Sequence, residues 1–151
     1  MSESTFWDYV RPMMKGLDPI RIEDALALGV PDVNHRAGWI ELKFVRFWPK
    51  RPKTKVAVEH YTPEQRAWHI RRCYVGGNCK VLIQIQDRVM LFWGDVAARE
   101  LGRAPRARLE ECCSHNWLHG GRPIRKELFH AILEERPKQR GLFDEGGGKT
   151  P

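Results

Sequence analysis

The sequence has no apolar run approaching the ~20 residues that a membrane-spanning helix needs. Its opening residues, MSESTFWDYV, offer neither the basic start nor the apolar centre of a secretory signal. Both absences lead us to expect a cytoplasmic protein. Cysteine is scarce, with only 4 in the chain. Cys112 and Cys113 are adjacent and cannot readily bridge each other, which argues against a disulfide framework. The paired-cysteine spacing of familiar zinc modules is missing too, and there is no internal repeat.

What remains is a chain of 151 residues, 42% hydrophobic and 30% charged, the composition of one soluble globular domain. Lys and Arg number 26 against 19 Asp and Glu, a net charge of +7. Such an excess points to a polyanionic partner, nucleic acid first among them.

Apolar periodicity places a short helix over Ser4–Met14, broken by Gly16 and Pro19. IRIED then reads as a short strand. VPDVN and WIELKFV are apolar runs rich in β-branched and aromatic residues, joined by HRAG as a hairpin. FWPKRPKTK is a basic loop. YTPEQRAWHIRRCYVGG is a helix with Thr62 as N-cap, Pro63 in the first turn, Gln65 completing a capping box and Gly76–Gly77 stopping it. KVLIQIQ and RVMLFW form a second hairpin around Asp87. Three helices are expected beyond Gly94: DVAARELG, PRARLEECCSHNWLHGG, and RPIRKELFHAILEER with Ile124, Leu128, Ala131 and Ile132 on one face. The fold class is therefore α/β, a mixed central sheet with an α-β-β-β-α-β core followed by C-terminal helices. We expect one domain over residues 1–137, its core about 4–94 and a helical extension about 95–137, and a disordered tail over 138–151.

The hairpin carries three charges, Asp32, Glu41 and Lys43. Residues two apart in a strand share a face, so Glu41 and Lys43 point together while Ile40, Leu42 and Phe44 point to the core. If Arg36 and Ala37 form the turn, Asp32 lies opposite Glu41; if Ala37 and Gly38 do, it lies opposite Lys43. A three-residue turn without a bulge would send Asp32 to the wrong face. Converging carboxylates repel unless a cation sits between them. Oxygen ligands suit a hard ion such as Mg²⁺ or Mn²⁺, and a neighbouring lysine can orient water or neutralise charge on a phosphorane-like transition state. The alternative is a solvated outer strand face, with Lys43 in a cross-strand ion pair.

Pro31-Asp32 followed by Glu41-Leu42-Lys43 resembles the PD-(D/E)xK motif of the restriction-endonuclease-like nuclease superfamily. Within it, RIED…GVPDVN…GWIELKF…YTPEQRAW…GG…VLIQI, from Arg21 to Ile85, is similar to the small phage-type virus-type replication-repair nucleases (VRR-NUC), relatives of Holliday-junction resolvases. The resemblance implies a metal-dependent DNA endonuclease of phage or bacterial replication, recombination or repair, acting on double-stranded or branched DNA in the cytoplasm. It implies Asp32, Glu41 and the backbone carbonyl of Leu42 as metal ligands, Lys43 as the catalytic lysine, Glu23 as a supporting upstream acid, and Gln65 as a glutamine near the active site. A substrate with two-fold symmetry would call for a homodimer.

DNA binding needs phosphate contacts. Arg46, Lys50, Arg51, Lys53 and Lys55 lie on the loop leaving the motif strand, with Trp48 placed either to stack on an unpaired base or to pack on the sheet. Arg66, Arg71, Arg72, Arg103, Arg106 and Arg108 are further candidates. Two rival readings remain. One is a non-catalytic nucleic-acid-binding protein. The other is a zinc-stabilised interaction domain that uses Cys112, His115 and His119 on one helix face, with Cys73 or Cys79 as a fourth ligand.

Overall fold

Two of the three hairpin charges, Glu41 and Lys43, lie on the longest strand among the described residues, and Asp32 precedes the strand that pairs with it. A computed structural model of the protein describes residues 2–23 and 28–136. In chain order the elements are α1 (Glu3–Val10), a 3₁₀ turn (Arg11–Met14), β1 (Ile20–Arg21), β2 (Val33–His35), β3 (Gly38–Val45), α2 (Pro63–Tyr74), β4 (Cys79–Ile85), β5 (Arg88–Trp93), α3 (Gly94–Glu100), α4 (Arg106–Cys112), β6 (His115–Leu118) and α5 (Arg122–Leu133). The fold is α/β, and the expected α-β-β-β-α-β order is present through β4. Residues 138–151, expected as a tail, lie outside the described residues.

Among the described residues, all six strands join one sheet in sequence order. Neighbours are antiparallel except β3 and β4, which are parallel because α2 returns the chain between them. Each sheet face has its own core. On one face Val33, Ile40, Leu42, Leu82, Val89, Leu91 and Trp117 pack with side chains of α1 and α5. On the other, Val81, Ile83, Ile85, Met90 and Phe92 pack with Tyr61 and with side chains of α3 and α4. All seven residues of β4 are consequently buried.

The region from Pro105 to Gly121 departs from the expected single helix. α4 ends at Cys112, Cys113 turns extended (φ −67°, ψ 149°), and His115–Leu118 pairs with β5. Pairing satisfies the backbone groups along the outer side of β5, whose residues are largely buried and could not leave those groups without partners. The helical extension is therefore interrupted by a sixth strand. Cys112, His115 and His119 do not share a helix face, and among the described residues no three His, Cys, Asp or Glu side chains converge as a metal site.

Candidate active site

The hairpin turn is the two-residue Arg36–Ala37, because His35 pairs with Gly38, Asn34 with Trp39 and Val33 with Ile40. Extending that register by one residue sets Asp32 opposite Glu41. The backbone N–H of Asp32 donates to Glu41 Oε2 (3.2 Å), and the N–H of Leu42 donates to Asp32 Oδ2 (3.0 Å). A residue's N–H and C=O leave an extended strand on the same side, so the Leu42 carbonyl projects from the edge of β3 that Asp32 occupies.

Lys43 Nζ lies 2.8 Å from Glu41 Oε1 and donates to the carbonyl of His60 (3.0 Å). His60 adopts a left-handed conformation (φ 59°), which is uncommon for a non-glycine residue. The Tyr61 ring stands 5.6 Å from the ammonium. Gln65 serves both sides of the site with one amide. Its Oε1 accepts the Thr62 N–H in the capping box, and its Nε2 donates to Glu41 Oε1 (2.9 Å). The helix cap read from the sequence and the contact to the acid are thus compatible in a single side chain.

These charges are not on a solvated face. Glu41 is 0% exposed and Lys43 3%, covered by Tyr61 and α2, while Asp32 is half-buried and opens the site to solvent. Three donors favour the Glu41 carboxylate, and so does the positive charge of Lys43. Burial first, and the Asp32 charge second, outweigh them and push the Glu41 carboxyl up to about 8. A cation placed between Asp32 and Glu41 would relieve both of these penalties. The donor set is carboxylate and carbonyl oxygen, which fits a hard divalent ion that keeps waters and takes only one or two protein carboxylates.

Glu3, in the first turn of α1, was not singled out by the sequence reading; it is half-buried, with the Arg21 guanidinium 3.9 Å from its carboxylate. Burial raises its carboxyl pKa and the Asp32 charge raises it further, while Lys43, Arg21 and His60 oppose. Its carboxylate therefore stands in the field of the same Asp32 and Lys43. The signal available in the sequence was an acid following Ser2, the N-cap of the first helix, but nothing there links that helix to the hairpin. Glu23 is exposed just beyond β1, and the charges that shift Glu41 come from Asp32 and Lys43.

On the loop that leaves β3, Arg46, Lys50, Arg51, Lys53 and Lys55 are exposed and form no ion pair among the described residues. Trp48 is half-buried against the second core, with the Arg106 guanidinium 4.3 Å over its ring. Of the two roles considered for Trp48, the structure has it packing on the sheet. Arg106 and Arg108 are paired with Glu110 and with Glu100 and Glu111. Arg66 donates to the carbonyl of Ala98. No helix is long and apolar enough to cross a membrane among the described residues. Compared with protein-family models, with curated proteins and with solved structures, the chain matches none.

Proposed function

We propose that the protein is a metal-dependent DNA endonuclease that hydrolyses phosphodiester bonds. The observation that supports this reading is the buried Glu41–Lys43 pair, closed by a two-residue turn against Asp32 beside the apolar core that Val81, Ile83 and Tyr61 help to form. Asp32, Glu41 and the Leu42 carbonyl would hold Mg²⁺ or Mn²⁺. Bound there, the ion supplies Lewis-acid activation of the phosphate and a more acidic water.

The chain's own residues do the rest. Lys43 spends two of its three N–H groups on Glu41 and on the His60 carbonyl, leaving one for a phosphate oxygen or the attacking water. Its charge opposes the negative charge that builds on the phosphorus oxygens in the transition state. Gln65 holds the orientation of the Glu41 carboxylate. The unpaired basic side chains from Arg46 to Lys55 leave the same strand and would hold the DNA backbone beside the scissile phosphate.

The test is incubation of the protein with plasmid, single-stranded and four-way-junction DNA, with Mg²⁺ or with chelator. Cleavage should require the metal. It should disappear in Asp32→Asn, Glu41→Gln and Lys43→Ala while DNA binding is largely retained. Wild-type protein that binds DNA but cuts none of these substrates under Mg²⁺ or Mn²⁺ would overturn the reading.

A further inference from the structure

Two rows of side chains run outward from the candidate active site. On β3, Trp39 precedes Glu41 by two residues and shares its face. On α2, Gln65, Trp68 and Arg72 fall at i, i+3 and i+7, along one side of the helix. The rows meet rung by rung. Gln65 Nε2 bonds Glu41 (2.9 Å), the Trp68 and Trp39 rings meet edge to face (centroids 5.6 Å), and the Arg72 guanidinium lies 4.5 Å over the Trp68 ring.

Both tryptophans are half-buried, so aromatic surface stays open to solvent beside the centre. Arg72 is exposed and has no carboxylate partner among the described residues, unlike Arg99, Arg106, Arg108 and Arg136, each paired with an acid. Gly77 leaves room for the Arg72 side chain. A Cβ there would sit 2.5 Å from the Arg72 Cδ and 3.0 Å from the Arg72 carbonyl oxygen.

We infer that Trp39, Trp68 and Arg72 form a subsite for one unpaired nucleotide next to the scissile phosphate. This deepens the nuclease reading and rests on it for the location of that phosphate. The order from the centre outward is carboxylates and lysine, then aromatic rings, then an unneutralised guanidinium. That is the order of a phosphate, its neighbouring base and the next phosphate along a strand. Two strand residues span about 7 Å, the length of a nucleotide step. A base held in a duplex has its faces covered by its neighbours. An unstacked base can lay its face on a tryptophan, and stacking of this kind accepts any base. The substrate class is therefore DNA with unpaired nucleotides at the cut: a single strand, a flap or a frayed branch.

Binding is measured in the Glu41→Gln background with chelator, where no cleavage intervenes, using fluorescence anisotropy of a labelled oligothymidylate and of the same backbone carrying abasic sites. Trp68→Ala should weaken oligothymidylate binding about tenfold and leave abasic binding unchanged. Arg72→Ala, on an exposed side chain that the fold does not need, should weaken both. Gly77→Ala should resemble Arg72→Ala. In the Mg²⁺ protein, Arg72→Ala and Trp68→Ala should reduce cleavage of a flapped duplex relative to a blunt one. Equal oligothymidylate affinity in the parent, Trp68→Ala and Arg72→Ala overturns the subsite, whatever the protein cleaves. A base-dependent loss of binding in a protein that never cuts would support the subsite and refute the nuclease.

Discussion

Glu41 and Lys43 lie opposite Val81 and Ile83 of the neighbouring strand, where the sheet face is apolar. Moving both charges out of water costs more than their attraction returns unless the geometry is excellent. The pair is thus a local expense to folding, of the kind found where function outweighs stability. Breaking it is worse than replacing it. Glu41→Met and Lys43→Met alone should each lower the free energy of unfolding by roughly 3 kcal/mol, by leaving a buried ionisable group without its partner. The double variant should recover most of that loss, a non-additivity that urea unfolding of all four proteins would measure. Glu3 makes a separate point. If it tunes the site through Asp32, Glu3→Gln should cost about 10–100-fold in cleavage or in metal affinity. Glu23→Gln should leave both near the wild-type value. The reverse ranking in a Mg²⁺ titration of cleavage rate would assign the supporting role to Glu23.

Elements bring these residues together, and they differ in how they are specified. The hairpin was legible because face parity allowed only a few turns, and Arg36–Ala37 is one of them. α2 was legible because Thr62, Pro63 and Gln65 write its start locally. Neither signal says what covers the charged face of β3. An alternating strand reads as one dry and one wet side, but α2 and the Tyr61 segment close over the second side, and only tertiary packing decides that. β6 was illegible for a similar reason. Its four residues, HNWL, have no strand pattern of their own and extend because β5 needs a partner.

α5 is anchored by a device equally invisible beforehand. Lys80 of β4 is buried, sits 4.4 Å from the Trp93 ring and donates to the carbonyls of Ala131 (2.9 Å), Ile132 (2.6 Å) and Glu134 (2.7 Å). Those are carbonyls that the end of a helix leaves without partners, and the cation also meets the negative end of the helix dipole. Lys80→Met should therefore lower stability by roughly 2–4 kcal/mol. It should also speed amide hydrogen exchange in the last turn of α5 ahead of the rest of the sheet. Lys126→Met, on the exposed side of the same helix, should change stability by less than about 0.5 kcal/mol.

For the whole molecule, the consequence of two cores is that polar groups are enclosed on both faces of the sheet. His35 is 4% exposed and His69 0%. His69 Nδ1 meets the Tyr61 hydroxyl (2.6 Å), His35 Nδ1 accepts the Ala37 N–H (3.2 Å), and neither Nε2 has a partner among the described residues. Burial leads in pushing both imidazoles down to about 4, helped by Lys80 and Arg36 around His35 and by Lys43 and Arg66 around His69. Between pH 4 and 6.5 the unfolded chain therefore binds more protons at these positions than the folded one. Stability rises with pH across that window and is lost on acidification through it. Each histidine contributes on the order of 2–3 kcal/mol to the loss by pH 4. Glu41 titrates with the opposite sign, because its carboxyl is raised, so the histidine effect is read as a difference between proteins in which the Glu41 contribution cancels. His69→Gln keeps an acceptor for the Tyr61 hydroxyl and cannot gain a charge. Urea unfolding from pH 7 to pH 4 should show this variant losing about 2–3 kcal/mol less than the wild type. Parallel curves for the two proteins would mean that His69 is protonated in the folded state at its ordinary pH, and that the core around Tyr61 admits water.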